Sequence, residues 1–196
     1  MTPQRTVFSE ATNLAYIVAG ITILLSAQPT GPIVGAAFIL LGIGSWVYHH
    51  YYAEWANLMD ERGMYVCFAA IVAAAPYQEI PEPWGGLLGA VILGVGVLMA
   101  IAAGDPRLAT MRTMPAWALA LVAAVWWTSN LATAGVLLVA FLLVAFLREL
   151  PESNFWTPKA WFRERYDGLH GLWHVGTCCL MLMAWMAIIG IWGVGR

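Results

Sequence analysis

Lysine occurs once in this chain, at Lys159. That excludes a retinal protein, whose Schiff base needs a lysine inside a membrane span, because Lys159 falls in a polar connection. Charge of either sign is scarce. Only 10% of the 196 residues are Asp, Glu, Lys or Arg, against about a quarter in a typical soluble domain. The net charge of −2 offers no basic face to nucleic acid. Cysteine is limited to Cys67, Cys178 and Cys179. None has the spacing of a zinc ribbon or a redox motif, and adjacent cysteines rarely pair, so all three read as small core residues. There is no low-complexity segment, no internal repeat and no linker that would separate two domains.

What the chain has in abundance is apolar residues, at 61%, with a mean hydropathy of +0.74. These values describe an integral membrane protein. A membrane helix takes about 20 mostly apolar residues, and seven segments qualify, near 11–28, 31–53, 57–75, 84–103, 113–130, 131–148 and 168–193. The fold class expected is therefore an all-α, seven-transmembrane bundle forming a single domain over 1–196. The first ten residues are polar and no small-residue cleavage site follows them, so the first run reads as a retained span. Gln28-Pro29-Thr30-Gly31-Pro32, the Pro76 to Pro83 stretch, Gly104-Asp105-Pro106-Arg107 and Thr128-Ser129-Asn130 read as turns. Arg148 to Asp167, with Trp156 and Trp161, reads as an interfacial helix. Gly31 with Gly35, and Gly86 with Ala90 and Gly94, form small ridges suited to close helix packing. Trp55, Trp84, Trp117 and Trp192 read as an aromatic belt.

All four histidines fall in two places, Ser45-Trp-Val-Tyr-His49-His50 and His170-Gly-Leu-Trp-His174. Residues four apart share a helix face, so Ser45 pairs with His49 and His170 with His174. His49 closes the second apolar run and His170 opens the seventh, which puts both motifs at one depth. Ionisable residues in a bilayer are costly and usually mark function. Three imidazoles with one open position make the ligand set of a catalytic zinc site. His50 lies about 100° round the helix from His49 and reads as interfacial or hydrogen-bonded rather than as a ligand. Asp60 follows His49 across a short turn and is the candidate base. Glu61 reads as a charge at a helix N-terminus, and Glu10 and Glu54 as solvated or interfacial.

At these residues the chain resembles the alkaline ceramidases. They belong to the CREST superfamily of seven-span hydrolases, which also holds the adiponectin receptors and hemolysin III-like proteins. The matching pieces are Ser45-x3-His49, Leu58-Met-Asp60-Glu61-Arg62-Gly-Met-Tyr65 and His170-x3-His174, and Thr12-Asn13-Leu14 is similar to the Ser-Asn pair that opens the first span there. The resemblance implies zinc on His49, His170 and His174, with Asp60 and Ser45 completing the site. It implies hydrolysis of the amide bond of a ceramide-like or other N-acyl lipid that enters from the bilayer. Eukaryotic ceramidases add an acidic calcium site, for which Glu10 is the only N-terminal acid here. The short loops and Ala/Gly-rich spans suggest a bacterial inner-membrane member. Two other readings compete with a zinc amidase: a seven-span receptor or structural protein that keeps zinc for folding, and a haem protein using two histidines.

With seven spans, Arg5, Arg62, Arg107, Arg112, Arg148, Lys159, Arg163 and Arg165 share one side, leaving only Arg196 opposite. The positive-inside rule then predicts a cytoplasmic N-terminus and an outside C-terminus. A cysteine engineered beside Arg196 should react with an impermeant reagent on intact cells; reaction only after lysis would reverse the orientation.

Overall fold

The computed structural model describes residues 7–51, 53–102, 106–152 and 166–191. Every element among them is helical: α1 (Val7–Thr12), α2 (Leu14–Leu24), α3 (Gly31–Tyr51), α4 (Glu54–Glu79), α5 (Trp84–Ala102), α6 (Pro106–Thr128), α7 (Leu131–Glu152) and α8 (Tyr166–Ile188). Most of the interfacial segment expected before α8, with Trp156, Lys159 and Trp161, lies outside the described residues, as do Trp192 and Arg196.

Each apolar run forms a helix, but several bounds move for identifiable reasons. The first run is interrupted at Asn13, and α1 starts ahead of it. α4 runs on through Pro76 to Glu79, where a turn had been expected. α6 begins at Pro106, since the fixed φ and missing N–H of proline suit the first helical position. α7 starts after Asn130, whose Oδ1 accepts the Thr133 N–H at 2.8 Å, the bond of an N-cap.

Among the described residues, three helices are long and apolar enough to cross a membrane: Gly31–Tyr51, Trp84–Ala102 and Gly168–Ile188. α4 is the hub, packing against α3, α5, α6 and α8. From Cys67 to Pro76 every residue of α4 is buried, the pattern of a helix surrounded by others. Its alanines at 69, 70, 73, 74 and 75 let those neighbours come close. α2 packs on α3 and α8, and α7 packs on α6 and α8. Trp185 of α8 donates its indole N–H to Thr30 Oγ1 at 3.3 Å, tying α8 to the α2–α3 turn.

Glycine sets the α2–α3 distance. A Cβ on Gly20 would lie 2.7 Å from the Gly35 carbonyl oxygen, and a Cβ on Gly35 would lie 2.7 Å from that of Gly20. The second small ridge turns out differently. Ala90 and Gly94 are exposed, and α5 buries Gly85, Gly89, Gly96 and Ala100 instead, because that is the face it lays on α4. Trp117 is likewise a core residue rather than a belt residue, packed over Gly96, whereas Trp55 and Trp84 are exposed. Cys67 and Cys178 are buried as expected, but Cys179 is exposed.

Gly35→Ala should therefore force α2 and α3 apart and cost about 1–3 kcal/mol, the usual range for overpacking. Gly94→Ala meets open space, and the gain in helix propensity should leave it neutral or more stable by up to about 1 kcal/mol. Thermal unfolding in detergent checks both; equal effects would remove the close-packing account.

Candidate metal centre

The site forms at one end of the bundle, where the last turn of α3 meets the first turns of α2, α4 and α8. Among the described residues no Cα of α3 lies within 8 Å of a Cα of α8. Side chains bridge that gap. His49 Nε2 lies 3.1 Å from His174 Nε2 and 3.2 Å from His170 Nε2. All three imidazoles are buried and offer ligand atoms within 4.8 Å of one another.

Hydrogen bonding between the rings explains this convergence poorly. An imidazole nitrogen carries either one N–H or one lone pair. His49 Nε2 makes both short contacts, so a single in-plane lone pair would have to serve two donors. A metal ion uses all three lone pairs at once. For tetrahedral coordination at about 2.05 Å, ligand nitrogens stand about 3.3 Å apart, close to the spacings found. The three histidines can thus hold a metal ion, as their spacing in the sequence anticipates.

The remaining ring nitrogens and the walls orient the ligands. Ser45 Oγ lies 3.4 Å from His174 Nδ1. When Nδ1–H donates to that oxygen, the Nε2 lone pair is left for a metal, the usual outer-shell role. Ser45 therefore stands behind a ligand, on the side of the ring away from the Nε2 cluster. Trp173 is buried against both α8 histidines, with ring centroids 5.3 Å from His170 and 4.9 Å from His174. Tyr16 of α2 presents a T-shaped contact to His174 at 6.2 Å. Tyr16 carries no signal in the sequence, since only the packing of α2 on α8 brings it to the site. Trp173 is readable afterwards, because it lies within the His170–His174 turn.

Asp60 is buried in the second turn of α4. Its backbone is placed by Gly44, where a Cβ would lie 2.9 Å from the Met59 carbonyl oxygen and 3.3 Å from the Asp60 nitrogen. α4 thus passes close against α3 one residue before Ser45. Glu61 is also buried, at 7% exposure. α4 begins at Glu54, seven residues earlier, so Glu61 is no helix-end charge. His50 stays out of the cluster, stacked on Trp46 at 5.2 Å, with Nδ1 3.8 Å from Glu10 Oε1. Glu10 is accordingly a partner of His50 and mostly buried, its side chain 11% exposed. Cys178, one turn beyond His174, does not join the cluster.

No known protein family, curated protein or solved structure matches the chain.

His170→Ala and His174→Ala should abolish stoichiometric metal in purified protein, while His50→Ala keeps it. Ser45→Ala should weaken metal affinity by roughly 10- to 100-fold, the usual cost of losing an outer-shell partner. Elemental analysis and competition with a chelator read both; equal metal loss in His50→Ala would reassign the ligands.

Proposed function

We propose that this protein is a zinc-dependent integral-membrane hydrolase that cleaves the amide bond of a ceramide-like or other N-acyl lipid. In this reading the chain is a seven-span bundle, and the lipid reaches the site sideways from the bilayer. The observation that carries the proposal is the convergence of three buried imidazoles, and the close passage of α4 at Gly44, which brings the backbone of the buried Asp60 to the same end of α3, supports it. Imidazole ligands in a three-plus-open arrangement suit zinc, and a closed structural site would call for a fourth protein ligand. The described residues bring no fourth histidine, cysteine or carboxylate into the cluster.

Bound there, zinc supplies Lewis acidity to polarise a carbonyl and lowers the pKa of water towards neutrality. The chain's own residues supply the rest. His49, His170 and His174 hold the ion, and Ser45 fixes the tautomer of His174. Asp60 takes a proton from the attacking water as its oxygen bonds to the acyl carbon. It returns that proton to the nitrogen as the C–N bond breaks, giving a fatty acid and a free amine. The buried tryptophan and tyrosine beside the imidazoles exclude bulk water, which strengthens every electrostatic contact inside. An apolar surface around the bundle suits a substrate that never leaves the membrane.

Asp60→Asn should keep metal and fold but lose hydrolysis by about 10²- to 10⁴-fold, the usual worth of general acid–base help. Ser45→Ala should lose less, and the loss should shrink at saturating zinc. Release of fatty acid from a fluorescent N-acyl lipid, measured beside zinc content, tests this. Full activity in Asp60→Asn would remove the proposed base, and loss of metal in that variant would make Asp60 a ligand. Stoichiometric zinc with no hydrolysis of any N-acyl lipid would favour a metal-stabilised receptor or structural protein.

A further inference from the structure

Asn13 is completely buried, and neither its Oδ1 nor its Nδ2 has a hydrogen-bond partner. Burying an amide unpaired is costly, and such a group in a folded protein calls for a missing partner. Helix capping does not supply one. Asn13 stands at the N-cap of α2, but its backbone is already helical (φ −67°, ψ −21°) and its side chain makes no cap bond.

Its neighbours put its turn of the chain next to the helices that carry the metal centre. Its carbonyl oxygen lies 3.1 Å from where a Cβ on Gly42 would stand, three residues before Ser45. Thr12 Cγ2 lies 3.3 Å from where a Cβ on Gly171 would stand, next to His170. Tyr16, three residues on, puts its ring on His174. Residues three and four apart share a helix face. Ser9, Asn13 and Tyr16, each 1% exposed or less, form one inward stripe that ends on a ligand histidine.

We propose that Asn13 binds the amide group of the lipid, its Oδ1 accepting the substrate N–H. The proposal rests on the amidase reading above. In a trans secondary amide the C=O and N–H point in opposite directions. A substrate that turns its carbonyl to the imidazoles presents its N–H to the far wall, and in a dry site that N–H needs an acceptor. Ser45 is engaged with His174, and Asp60 is the proton acceptor. Asn13 offers a neutral acceptor that cannot take the proton away. Its Nδ2 is left to donate to a further oxygen of the lipid head. Asn13 thereby fixes the plane of the amide and is a binding residue, not an acid or base.

The test uses two fluorescent probes, an N-acyl alkylamine and its N-methyl counterpart, which keeps the carbonyl and lacks the N–H. Binding is read by fluorescence polarisation on the full chain as purified in detergent, in an Asp60→Asn background to prevent turnover. The secondary amide should bind at least tenfold tighter than the N-methyl amide. Asn13→Leu should erase that preference while keeping metal content and thermal stability, since it removes an unpaired polar group. If Asn13→Leu does not fold, Asn13→Ala deletes the same acceptor and carries the comparison. Equal binding of the two probes with Asn13 in place would overturn the proposal. So would a preference that survives the substitution, which would leave Asn13 as the holder of a structural water. Hydrolysis of N-acyl lipid without any N–H preference sinks this inference alone; binding of neither probe, with no hydrolysis, sinks the amidase reading with it.

Discussion

Three imidazole nitrogens brought to 3.1 and 3.2 Å of one another, from two helices whose backbones stay apart, form the constraint on which the rest depends. An imidazole reaches only a few ångströms from its backbone. α3 and α8 must therefore be held at a narrow range of separations, near enough for the rings to meet and far enough to leave room between them. Direct packing of the two helices would close that room. The spacing is instead set by third parties: α2 touches both, and α4 touches both. The glycine contacts follow from this. Gly20 and Gly35 let α2 lie against α3, and Gly44 lets the α4 backbone come close to α3 at Met59 and Asp60.

The same arrangement divides the polar work. α3 supplies one imidazole and the hydroxyl behind another, α8 supplies two imidazoles, and α4 supplies a carboxylate. Buried carboxyl and imidazole groups are costly in a bundle this apolar, and the ones found among the described residues, His49, Asp60, Glu61, His170 and His174, are gathered at one end. Trp173 and Tyr16 surround them with rings, so the imidazoles are oriented by contact on several sides. Such rigidity is what a metal centre requires, since ligand placement has to be fixed before the ion arrives. Asn13 adds a buried amide at the N-cap of α2, a helix with no histidine at all.

How much could be read beforehand differs from residue to residue. His170 and His174, four apart, and Ser45 and His49, four apart, announce shared faces through helical periodicity alone. Their equal depth follows from where the apolar runs begin and end. Glu61 misleads because a charge next to Asp60 near the start of a run resembles a helix-end charge. The extra turn at the start of α4 arises from the α3–α4 connection and carries no hydrophobic signal. Trp117 misleads similarly, since position near a predicted helix end does not say which way a side chain points. The ridge at Gly86, Ala90 and Gly94 has the right period and the wrong face, because the sequence of α5 has small residues on more than one side.

Composition and periodicity by themselves determined that the chain is apolar and helical, and that its few histidines fall on two helix faces at one depth. These are local properties, set by hydropathy and by 3.6 residues per turn. Only the tertiary structure decided that α3 and α8 meet through side chains while their backbones stay apart, and that Ser45 stands behind His174. Only it decided that Tyr16 reaches the same place from a third helix. Those outcomes depend on which helices are neighbours, and neighbours are chosen by side-chain volumes and close glycine contacts summed over the whole bundle, which no single stretch of sequence contains.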